Sequence, residues 1–211
     1  AYIYISSGVL WDLLKLRKGP VIAALYPVGF LLGQLVIAIL NAWGLGRLLG
    51  IVHPMASALG IVAIWPVLAW FRKMDGKIFA YYLMQDYAHS AQHKGAYPTD
   101  LKVRLSEFGG KITSALSQGY DEILVVGHSS GAHMAVSVLA QLDLDGAFEG
   151  QETEVNFLSL GQVVPMVAFL PEARALRQDL QLLSQSTLVT WVDVTAPGDG
   201  CAFALCDPVS V

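Results

Sequence analysis

Charge is almost missing from one quarter of this chain. Between Gly19 and Phe71 the only formally charged residue is Arg47. A stretch so poor in charge excludes an ordinary solvated surface there, and it raises the mean hydropathy of the chain to +0.53. A basic stripe is missing too. With 13 Lys and Arg against 17 Asp and Glu, the net charge of −4 excludes a surface built to neutralise nucleic-acid phosphates. Two cysteines, Cys201 and Cys206, are too few for a disulfide framework, and no Cys or His nearby completes a metal-ligand spacing. They read as small buried hydrophobes, and neither a cofactor nor a metal is expected. No histidine follows His133, and no internal repeat or low-complexity segment occurs.

The apolar quarter divides into Val21–Leu40, with Gln34 its one strongly polar residue, and Leu48–Phe71, which contains Pro54 and Pro66. Each is long enough to cross a hydrocarbon core about 30 Å thick. Proline is tolerated in such a helix better than in a soluble one. The Gly-containing segment Asn41–Arg47 is expected to be the turn of a helical hairpin, with Ala56 and Gly60 giving the small-residue spacing for close helix packing. Lys15, Arg17 and Lys18 precede the first span, and Arg72, Lys73 and Lys77 follow the second. This distribution places both flanks, and so the remainder of the chain, in the cytoplasm. His53 falls near the outer end of the second span and is given no role.

The run Glu122–His133 reads E-I-L-V-V-G-H-S-S-G-A-H. Ile123–Val126 has the continuous apolar character of a buried parallel strand. Ala132, Ala135, Val136 and Leu139 fall on one helical face immediately afterwards. Between them stand Gly127, His128, Ser129, Ser130 and Gly131. Strand, G-x-S-x-G and helix in this order describe a nucleophile elbow, in which Ser129 stands exposed on a sharp turn and the Ser130 N–H can donate to a developing oxyanion. This stretch resembles the α/β-hydrolase superfamily in its G-H-S-x-G form, over about residues 78–211.

Elsewhere the sequence alternates helix and strand. Tyr2–Ile5 is aromatic and β-branched and reads as a strand; Ser6-Ser7-Gly8, if it followed a sheet strand, could offer a second oxyanion N–H. Val9–Leu16 reads as a short helix and Ile78–His93 as another. His89 and His93 are one turn apart but lack a third ligand. Thr99 is placed as an N-cap for a helix that runs through Gly109-Gly110. Leu142–Gln151 reads as a loop, Val155–Leu160 and Leu188–Val194 as strands, and Gly161–Leu170 as an irregular cover. A helix is expected to open at Pro171, with Ala173, Leu176, Leu180 and Leu183 on its buried face. The expected fold class is therefore α/β: a partial hydrolase-like parallel sheet with crossover helices over 72–211, a transmembrane hairpin over 19–71, and an N-terminal segment over 1–18.

The resemblance implies the chain order serine, acid, histidine. Asp199, in the turn T-A-P-G-D-G after the last strand, takes the acid position; Asp193 within the strand and Asp207 beyond it are alternatives. The histidine has no counterpart downstream of the acid, and the chain is read as an internal fragment whose base lies beyond Val211. The implied activity is a membrane-anchored serine hydrolase that cleaves an ester, thioester or lipid-like acyl substrate. Alternatives are a non-catalytic scaffold of the same fold, or an acyltransferase using the same nucleophile.

Overall fold

The computed structural model describes residues 2–210, which fall into two compact units. One unit comprises residues 2–23 with 89–210, the other Ala24–Ala88.

The first unit holds a three-stranded parallel sheet, in the order β1 (Glu122–His128), β2 (Glu154–Leu160), β3 (Val189–Val194). Its register sets Val125 beside Phe157 and Phe157 beside Trp191. The last two rings lie 5.1 Å apart. Parallel strands need long crossovers, and helices supply them here. The helix α8 (Gly131–Leu144) connects β1 to β2, and α10 (Arg174–Gln185) connects β2 to β3. Both cover one sheet face, together with α7 (Thr99–Leu116), which packs on α8. As the middle helix, α8 buries every residue from Ala132 to Ala140 except Met134. Val136, Leu139, Phe157, Leu176, Leu180 and Leu183 form the centre of the core. Each such side chain contributes roughly 1.5–3 kcal/mol by leaving water. The opposite sheet face is open, with Leu124, Val126, Val192 and Val194 about half exposed.

Five local expectations change in this unit. Residues Tyr2–Ser6 form a helix, α1, not a strand, because the Tyr4 ring is buried and its hydroxyl donates to Met166 O at 2.8 Å. The second helix, α2 (Val9–Leu16), is as read, with Val9 and Leu13 buried. Thr99 is the first helical residue of α7 and not its cap; extended Pro98 takes that position without a side-chain hydrogen bond. The segment 161–170 contains the short helix α9 (Val164–Ala168), and α10 opens at Arg174, three residues later than Pro171. Cys201 is exposed and Cys206 half-buried, so neither thiol is the small buried hydrophobe expected.

Among the described residues, two helices are long and apolar enough to cross a membrane, Lys18–Val52 and Pro54–Lys73. Only 17% and 6% of their most apolar windows are buried by protein, unlike the core helices of a soluble domain. The first, α3, is one continuous 35-residue helix. At 1.5 Å per residue it is about 52 Å long. The expected turn at Asn41–Arg47 lies inside it; the chain reverses at His53, whose extended backbone (φ −154°) is what a following proline imposes. Pro54–Ala63 then winds as a 3-10 helix, α4 (Ile64–Lys73) completes the return, and α5 (Asp75–Ile78) and α6 (Ala80–Gln92) follow. Gly44 and Gly46 therefore do not make a turn. A Cβ on Gly46 would lie 2.7 Å from Ser57 O, and one on Gly60 would collide with Ala42 and Gly46. Gly60 thus makes the close helix approach anticipated for it. Within the same unit, Gln34 is buried and accepts a 2.8 Å hydrogen bond from the Tyr81 hydroxyl.

Candidate functional site

The elbow is built by steric necessity. At Gly127, a Cβ would stand 2.8 Å from Ala132 Cα and 2.9 Å from Gly131 O, so only glycine lets α8 leave the strand this sharply. Ser129 has φ 54°, in the left-handed region that a residue with a Cβ occupies at a cost of roughly 1–2 kcal/mol. Its N–H donates to Leu160 O at 3.0 Å, and its C=O accepts from the Ala132 N–H at 3.1 Å, so the turn is tied at both ends. Ser130 caps α8 without a side-chain hydrogen bond, and its N–H meets no acceptor among the described residues. Gly131, by contrast, faces open space: a Cβ there would meet nothing within 4 Å. His128 is exposed and Ser129 half-buried at the C-terminal end of the sheet.

Asp199 sits at the same end. Its Oδ1 accepts the Cys201 N–H at 2.8 Å, and its Oδ2 lies 3.4 Å from the point a Gly161 Cβ would occupy. Gly161 itself donates to Val194 O at 2.9 Å. Ser129 is thus tied to Leu160, the last residue of the middle strand, and the Asp199 carboxylate lies against Gly161, the residue after it. Asp193 is engaged elsewhere: the buried Ser159 hydroxyl donates to it while accepting from Trp191 Nε1 at 2.9 Å. Burial raises its pKa, with Asp207 adding to the rise. Asp207 is exposed and closes its own turn by accepting from the Val209 N–H. The Ser6 and Ser7 hydroxyls donate to Ile3 O at the end of α1, so Ser6-Ser7-Gly8 follows a helix and not a sheet strand.

Among the described residues no histidine hydrogen-bonds Ser129 or Asp199. His53 accepts the Met55 N–H through Nδ1, and His93 is exposed. His89 and His133 come together at a cavity of about 10 Å³, with Ser90, Tyr97, Met134 and Val167 also in its wall. His133 is buried to 2% exposure, its Nδ1 has no partner, and desolvation lowers its pKa to about 4. It is neutral at physiological pH. A larger groove of about 520 Å³, walled by α7, α8 and α10, includes no residue of the elbow or of the Asp199 turn.

Two side chains that shape this end of the sheet are not evident from sequence motifs. Gln162 is fully buried; its amide donates to Phe203 O and Cys206 O and accepts from the Val164 N–H. Arg17 donates to carbonyls on both sides of Asp199. The signal for Gln162 was a lone amide in the apolar run after β2; Arg17 carried none beyond its charge.

Fold and site together define a mixed α/β protein: a small three-stranded parallel sheet with a strained serine at the end of its first strand, and two long apolar helices. No family profile, curated protein or solved structure matches the chain.

Proposed function

We propose that the chain carries the nucleophile and the acid of a membrane-anchored serine hydrolase of α/β-hydrolase type, acting on an ester, thioester or lipid-like acyl group. The observation that carries this reading is Ser129 at φ 54° between a parallel strand and a buried helix. A non-glycine residue in that conformation needs a reason, and presentation of a hydroxyl above the sheet is one. Ser129 Oγ attacks the acyl carbonyl, and its proton passes to a histidine. The Ser130 N–H donates to the oxyanion. The histidine then protonates the leaving group, and water releases the acyl chain with return of the proton. Asp199 orients that histidine. The two apolar helices anchor the protein, with the sheet on the cytoplasmic side.

The test is reaction of the full-length protein in membranes with a fluorophosphonate. Covalent labelling of the native protein and none of Ser129→Ala is expected. Persistent labelling of the alanine variant moves the nucleophile elsewhere. One observation favours a second reading, a non-catalytic scaffold: no described histidine touches the serine or the acid. Absence of labelling in the folded native protein selects it.

A further inference from the structure

We infer that Arg17 is a positioning residue for the acid turn, locking Asp199 in place from a segment far away in sequence. The inference rests on the reading of Asp199 as the acid. The guanidinium spans the turn: Nη1 donates to Ala204 O at 2.8 Å, and Nη2 to Pro197 O at 2.9 Å and Asp199 O at 3.3 Å. These acceptors lie more than 175 residues away along the chain. A planar fork with five fixed donors can hold three carbonyls at once; a lysine ammonium on a flexible stem cannot reproduce that geometry.

The rest of the turn depends on this grip. Residues 195–206 include no strand or helix, and their own turns satisfy the Ala196 and Phe203 carbonyls; those of Pro197, Asp199 and Ala204 take their partner from elsewhere. Gln162 holds the far end, at Phe203 and Cys206. Arg17 holds the near end, where the carboxylate is. Backbone contact adds to the fit, since a Cβ on Gly19 would lie 3.0 Å from Gly200 O. With Arg17 in place, the Asp199 carboxylate is confined between the Cys201 N–H and the surface of Gly161. Without it, Pro197, Asp199 and Ala204 lose their acceptor bonds together, and the carboxylate loses its fixed bearing on the end of β2.

The experiment compares native protein, Arg17→Lys and Arg17→Ala, full-length and in membranes, by hydrogen exchange and by fluorophosphonate labelling rate. Exchange over residues 198–206 is expected to rise at least tenfold in both variants, while strand residues 155–159 keep their native protection. Labelling of Ser129 should slow at least tenfold in both, and added guanidinium, but not methylammonium, should restore the rate in Arg17→Ala. Unchanged exchange in the turn overturns the inference. So does native behaviour of Arg17→Lys, which would make the charge alone sufficient, or a loosened turn with an unaltered labelling rate. If Arg17→Ala loses protection in the strands as well, the milder lysine variant decides. Failure of the native protein to label refutes the nucleophile reading, and the exchange arm alone then decides whether Arg17 holds the turn.

Discussion

The two turns at the C-terminal end of the sheet are held in opposite ways. The Ser129 turn is made by its own neighbours: Gly127 permits the sharp exit, and Ser129 bends into the left-handed region within a few residues of both strand and helix. The Asp199 turn has little local structure: the Asp199 N–H donates to Ala196 O at 2.9 Å, and the carboxylate accepts from the Cys201 N–H. Arg17 and Gln162, distant in sequence, supply the rest. A turn made by sterics is rigid as soon as its strand and helix form. A turn made by borrowed donors is only as rigid as the segments that lend them.

The largest test of this contrast is at the acid. Asp199→Asn should lower turnover by about four decades, the loss seen where an amide replaces a triad carboxylate, whereas Asp193→Asn should change it little. Steady-state hydrolysis of a chromogenic ester by the full-length variants measures both. Greater damage from Asp193→Asn in a folded protein would move the acid into the strand.

On the elbow side, His133 couples stability to pH. Its folded pKa of about 4 lies below the unfolded value of about 6.5. The unfolded chain therefore binds the extra proton between these values. The stabilisation is fully present above pH 6.5 and is lost as pH falls towards 4, by about 3 kcal/mol at the limit. Denaturation of His133→Gln at several pH values should show a flatter dependence than the native protein. Equal slopes would mean that the imidazole is not held neutral.

The two glycines of the motif should respond with opposite signs. Gly127→Ala forces a methyl against backbone and should cost about 1–3 kcal/mol. Gly131→Ala enters open space at the first helical position and should be neutral or stabilising by up to about 1 kcal/mol. Equal losses at both would remove the steric account of the elbow. A small effect is also expected at the serine: Ser129→Gly relieves the left-handed strain and should be about 1 kcal/mol more stable than Ser129→Ala. Equal denaturation midpoints would show that the turn stores no strain.

Legibility in the sequence follows the same division. The G-H-S-S-G elbow and the strands after it could be read because each is specified within about a dozen neighbouring residues. Asp199 could be placed in a turn after the last strand, but not the side chains that hold the turn. Arg17 looked like one more membrane-flanking cation, and only the fold brings it to Pro197 and Ala204. Tyr2–Ile5 misled because strand propensity is weak against one buried ring and a hydrogen bond to Met166. Gly46 misled because glycine marks close helix packing in an apolar segment as readily as a turn.

The open face of the sheet has a practical consequence. Leu124, Val126, Val192 and Val194 put apolar side chains in water on a surface that parallel sheets ordinarily cover. With β1 at the edge of the sheet, its backbone is also available to another strand. Protein expressed without the apolar helices should therefore be colloidally unstable despite its net negative charge. Its scattering should grow with concentration and added salt, and charged substitutions at Leu124 and Val192 should keep it monodisperse.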